Sequence, residues 1–146
     1  MKTVYFAHPK AHYDTEFEME CIEIIVNMLT SIGSNPLYPH IEIFNPNQKI
    51  IGNVYKARKE SGDRDPFEFF REIARAADIV VGVTFFDGSI GAGVAEELDE
   101  ASKNGKDCYL IYVDNQTKVF IPFIDKVHYK TLSIKETVEK TKRGEM

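Results

Sequence analysis

The most constraining stretch of the chain is 79–86, IVVGVTFF, which runs directly into DGSIGAG and then into a helical pattern. An apolar run without alternation is what a strand shows when both its faces are covered, as in the centre of a parallel sheet. The run is far short of the ~20 residues that cross a bilayer. Further strand and helix patterns flank it. Residues 4–7 read as a short buried strand. Phe17, Cys21, Ile24, Ile25, Met28 and Ile32 then recur at three- and four-residue steps, the period of a helix with one apolar face. Thr15 and Glu18 have capping-box spacing, and Gly33 supplies a stop. A turn-rich connector follows at 34–40, then a strand at 41–44. Residues 47–62 are polar and read as a mobile loop with a short helix. Asp65, Pro66 and Glu68 suit the N-cap, first and third positions of a helix that runs to Ala77. A helix over 92–103 and a strand over 108–113 follow. Residues 119–124 read as an edge strand, because Pro122 cannot donate to a central ladder. Ser133 with Glu136 opens a last amphipathic helix, and the charged tail 140–146 is expected to fray.

Strands alternating with helices predict an α/β fold: a flavodoxin-like or Rossmann-like three-layer sandwich on a mainly parallel sheet of four to five strands. The 146 residues suit one domain, 1–146. With 23 acidic and 18 basic side chains the net charge is −5, which argues against a partner such as a nucleic-acid polymer, whose binders carry a basic stripe. A single nucleotide remains open. Cys21 and Cys108 sit in apolar runs and read as small buried hydrophobes. The N-terminus lacks the apolar stretch of a signal peptide. A cytoplasmic protein without membrane association is expected.

In open parallel sheets ligands bind beyond the carboxyl ends of the strands. Those ends carry Ala7-His8-Pro9, Asn45-Pro46-Asn47, the Gly-rich segment from Asp87 through Gly88, Ser89, Gly91 and Gly93, and Asp114-Asn115. The glycines let backbone approach a ligand closely, and amides at a helix start can hold an anion. On the following helix Val94, Leu98, Ala101 and Gly105 define the core face. Glu96, Asp99 and Glu100 point away and read as solvated. Glu97 flanks the apolar stripe, where partial burial can tune its pKa. His8 suits either a hydrogen bond to a ligand or a structural loop role. His8 and His12 stand four apart, but Pro9 breaks any helical geometry between them, so no metal and no cofactor is expected.

Strand 1 followed by FAHPKAHYDTEFE, together with AADIVVGVTFFDGSIGAGVAEELDEASKNGK, resembles the nucleoside 2-deoxyribosyltransferase-like superfamily, which includes 2′-deoxynucleoside 5′-phosphate N-hydrolases. Gly93, Glu97, Leu98, Ala101, Gly105 and Lys106 match its pattern of a Gly-rich loop and a helix reading G-x-x-x-E-[LI]-x-x-A followed by GK. The resemblance covers roughly half the chain. It implies cleavage or transfer at the N-glycosidic bond of a deoxyribonucleoside or deoxyribonucleotide, with Glu97 as the nucleophile. It further implies that Asp87 or Ser89 holds a sugar hydroxyl, that the Gly91–Gly93 amides bind a 5′-phosphate if one is present, and that Tyr5 or His8 contacts base or sugar. A homodimer or higher homo-oligomer is implied as well. One position departs from the pattern: Phe70 stands where the family usually has an aspartate, and Glu68 and Glu72 are off register. That departure leaves a non-catalytic nucleotide-binding or sensing domain of the same fold as the alternative.

Overall fold

The computed structural model describes residues 2–30, 40–62, 65 and 68–146. The Gly33 stop, the connector over 34–39 and the Pro66 position lie outside the described residues. In chain order the elements are β1 (Lys2–Ala7), a 3₁₀ turn (Lys10–His12), α1 (Glu16–Thr30), β2 (Ile41–Phe44), α2 (Lys49–Glu60), α3 (Glu68–Ala76), β3 (Ile79–Val83), α4 (Ala92–Lys103), β4 (Asp107–Asp114), β5 (Thr117–Pro122), a second 3₁₀ turn (Lys126–His128) and α5 (Ile134–Lys142). The sheet order is β2-β1-β3-β4-β5. The first four strands in that order pair in parallel, and β5 closes the edge antiparallel to β4. This is the expected α/β sandwich. Its strand order reverses at β1, which makes the carboxyl end of the β1–β3 pair the switch point.

Both faces of the sheet are covered. β3, the apolar run of the sequence, is buried at every residue, and each such large aliphatic side chain contributes roughly 1.5–3 kcal/mol. Val4, Phe6, Val81, Val83, Ile111 and Val113 face α1, where Phe17, Cys21, Ile25 and Leu29 meet them. Tyr5, Ala7, Val80 and Leu110 face the opposite layer, with Ala74 and Ala77 and with Val94, Leu98 and Ala101 of α4. Gly82 sets how closely α4 approaches: a Cβ there would stand 2.7 Å from Leu98 Cδ1 and 3.0 Å from Val94 Cγ1. Both cysteines are buried and unbridged.

Two segments are more ordered than their polarity suggested. Within 47–62 the chain forms the three-turn α2, whose weak apolar signal is enough because only Ile51 is buried along it and Tyr55 packs its ring 5.0 Å from that of Phe70 on α3. The tail is docked rather than frayed. The Met146 carbonyl accepts from the Phe86 amide at 2.8 Å and from His12 Nε2 at 3.0 Å, and Lys140 bridges Asp87 and Glu145. The Ser133–Glu136 capping box is fully formed.

Candidate active site

Tyr5 lies in the second half of β1, between Phe44 of β2 and Val80 of β3 in the ladder. Its hydroxyl donates to Glu97 Oε1 at 3.0 Å. Ninety-two residues separate the two in sequence. The strand period turns Tyr5 to the α4 face, and the tight seat of α4 on Gly82 puts Glu97 over it. Glu97 is half-buried. Desolvation pushes its pKa up to about 8; the Tyr5 hydrogen bond opposes the rise, the Glu96 charge adds to it, and the Arg71 charge reduces it. Among the described residues the second carboxyl oxygen has no hydrogen-bond partner. A phenol and a carboxyl with a raised pKa therefore meet beside the switch point, one oxygen oriented and one free.

A second phenol, Tyr13 in the loop after β1, belongs to the same neighbourhood. Burial raises its pKa first, and the charges of Glu97 and Glu18 raise it further. Sequence reading had no periodic signal for it, because it sits in an irregular loop.

His8 turns inward. Its side chain is fully covered, its ring stacks on Phe6 at 4.0 Å, and both nitrogens are engaged: Nδ1 with the Phe6 carbonyl at 3.0 Å and Nε2 with Glu18 Oε2 at 2.7 Å. Both partners are acceptors, so the two contacts are hydrogen bonds together only when the pair holds one extra proton. Burial works against that charge and lowers the imidazole pKa, with Glu18 and the Phe6 carbonyl opposing. Of the two open roles for His8, the structural one is what the geometry fits. Glu18 in turn receives Asn47 Nδ2 at 3.1 Å and the Asp14 amide at 3.4 Å. The Thr15–Glu18 spacing is half a capping box: the Glu18 amide donates to Thr15 Oγ1 at 3.2 Å, while the carboxyl goes to His8. In the sequence the Thr15–Glu18 spacing reads as helix capping, which hides the His8–Glu18–Asn47 cluster.

The Gly-rich loop differs from the expectation. Ser89 is completely buried and spends its hydroxyl on Asp87 Oδ1 at 2.5 Å. Asp87 also holds Lys140 at 3.1 Å, and although its own partial burial opposes the shift, its bonds with Ser89 and Lys140 bring its pKa down to about 2. Gly88 takes φ +82°, and a Cβ there would stand 2.8 Å from the Tyr112 hydroxyl oxygen, so a side chain there meets both strain and a clash. At the start of α4 the Ala92 amide donates to Thr137 Oγ1 of α5 at 2.9 Å. Gly91 packs under Phe85 and Thr137, while Gly93 is open to solvent. In this structure Asp87, Ser89, and the Ala92 amide between Gly91 and Gly93 are engaged within the protein.

Phe70 packs against the α4-side core and against Tyr55 and Phe69. The neighbouring acids do not substitute for a carboxyl there: Glu68 is held by Arg71 and Arg75, and Glu72 by Arg58 at 3.0 Å. Glu96 and Glu100 are tied to the same two arginines at 3.2 and 3.0 Å rather than merely solvated. Among the described residues no group of three metal-ligating side chains gathers, and no helix is long and apolar enough to cross a membrane.

The fold and this pair define a doubly wound α/β protein with a partly desolvated carboxyl at its switch point. No family model, curated protein or solved structure matches the chain.

Proposed function

We propose that this protein cleaves or transfers the N-glycosidic bond of a deoxyribonucleoside or deoxyribonucleotide, as its resemblance to the nucleoside 2-deoxyribosyltransferase-like superfamily implies. The observation that carries this reading is the Tyr5–Glu97 pair. The ionised Glu97 uses its free oxygen to attack C1′ while Tyr5 holds the other. The C1′–N electron pair departs with the base, which takes up a proton from solvent water, and the sugar remains as an ester on Glu97. Water or a second base then attacks C1′ and releases the carboxylate. No cofactor takes part. Release of free base from a panel of deoxynucleosides and their 5′-monophosphates, followed by chromatography, tests the reading. Base release is expected from the native protein and not from Glu97→Ala. Release that persists in the variant removes Glu97 from the mechanism. The site belongs to a cytoplasmic homodimer or higher homo-oligomer in this reading, which sedimentation tests.

Phe70 favours a second reading, a nucleotide-binding or sensing domain that does no chemistry. With Phe70 half-buried in an aromatic cluster and Glu68 and Glu72 neutralised, α3 offers the leaving base no acid. Ligand binding without base release from any substrate would establish it.

A further inference from the structure

On the α1 face of the sheet, away from Glu97, a cavity of about 320 Å³ opens between the first turn of α1, the loop after β3 and the β4–β5 turn. That volume lies at the lower end of the roughly 300–1,000 Å³ of small-molecule sites. Its apolar wall is aromatic. The Phe17 and Phe86 rings meet edge to face with centroids 4.7 Å apart. Both rest on the fully buried His12 ring, at 4.7 and 5.7 Å. The Phe86 backbone is pinned from two sides. Its amide donates to the Met146 carbonyl at 2.8 Å, and its carbonyl accepts from the Asn115 amide at 3.0 Å. The wall is therefore in place before any ligand arrives.

The polar lining carries an unbalanced charge. Glu20 is paired: its Oε2 lies 2.7 Å from Lys118 Nζ, and that ammonium stands 5.5 Å from the centre of the Phe17 ring. The cavity thus already holds one cation of its own chain between a carboxylate and a ring. Glu16, one turn before Glu20 on α1, has no hydrogen-bond or ion-pair partner among the described residues. The same holds for the carboxamides of Asn115 and Gln116. Two carboxylates against one ammonium leave one negative charge, which disfavours an anion and suits a monocation. The unused acceptors are the two oxygens of one carboxylate and the oxygens of two carboxamides. A guanidinium matches that set. It is planar, it stacks on aromatic faces, it gives two parallel N–H bonds to one carboxylate, and it has no acceptor to turn against the remaining oxygens. An ammonium is more strongly hydrated and cannot stack.

We infer that this cavity is a binding site for a small organic cation with a guanidinium head, which pairs with Glu16 and packs against Phe17 and Phe86. The site is separate from the Tyr5–Glu97 pair, and the inference does not rest on the N-glycosidase reading.

The test is an amide-resolved NMR titration of the native protein with butylguanidinium, butylammonium and butanol. Butylguanidinium is expected to shift the Phe86, Asn115 and Gln116 amides with a Kd of about 1 mM, the scale of one charge-assisted pair and one ring contact. Butylammonium is expected to bind about fivefold more weakly, and butanol to give no saturable shift. Glu16→Gln is expected to weaken butylguanidinium binding about tenfold. Glu23→Gln, on the same helix but outside the cavity lining, is expected to keep the affinity. Equal binding of butylammonium overturns the guanidinium assignment. Shifts that do not gather at the cavity, or equal losses in the two variants, overturn the site. So does the lack of any saturable shift up to about 20 mM.

Discussion

β1 and its continuation supply partners to two carboxyl groups on opposite faces of the sheet, and the two pairs are built differently. Glu18 is fully engaged, by the His8 imidazole, the Asn47 amide and the Asp14 backbone. Among the described residues Glu97 has one hydrogen-bond partner, the Tyr5 hydroxyl, and a carboxyl whose pKa is raised to about 8. A buried carboxyl with several donors ties loops together. One with a single donor and an unpaired oxygen keeps its reactivity, because its charged form has not been stabilised by the protein. The difference separates a structural acid from the one proposed to carry the chemistry.

The sharpest way to break this comparison is to remove each carboxyl. Glu97→Gln should lower base release by roughly 10³-fold or more, the usual scale for loss of a nucleophile, while circular dichroism stays native. Glu18→Ala should act on stability instead. It leaves His8 Nε2 buried without its partner, at a cost of about 2–3 kcal/mol in denaturant unfolding. If Glu18→Ala abolishes base release without destabilising the fold, the assignment of roles is reversed.

Smaller changes sharpen it. Tyr5→Phe removes the hydrogen bond that, with the Arg71 charge, lowers the Glu97 pKa. The ascending limb of kcat/KM, centred near pH 8 in the native protein, should therefore move to higher pH, with about a tenfold loss of rate at neutral pH. The same limb should stay in place in Glu18→Gln. The smallest effect is thermodynamic. The folded Glu97 carboxyl binds its proton more tightly than the ordinary value of 4.5, so its contribution to stability is complete below that value and is lost as pH rises through about 8. Glu97→Gln should consequently raise the melting temperature more at pH 9 than at pH 5. A gain that does not depend on pH would mean that Glu97 is not desolvated in the folded state.

Much of the architecture was legible because it is local. The unbroken run at 79–86 required a central covered strand, the three- and four-residue steps of α1 and α4 required apolar faces, and Ser133 with Glu136 announced a helix start that the structure forms as a capping box. α2 was less legible, since a helix that buries one residue leaves almost no periodic trace. Glu97 was legible as a position on a helix, but its partner was not.

The amino-acid sequence determined the order of strands and helices, the identity of the two apolar faces and the carboxyl that flanks the α4 stripe. Only the tertiary structure decided that Tyr5 meets that carboxyl, that His8 turns in to Glu18, and that Thr137 reaches the first amide of α4. The reason is physical. Periodicity records which side of an element is covered, whereas these contacts, between residues 10 to 92 positions apart, depend on loop geometry, on strand register, on the 2-1-3-4-5 order of the sheet and on how closely α4 settles onto Gly82.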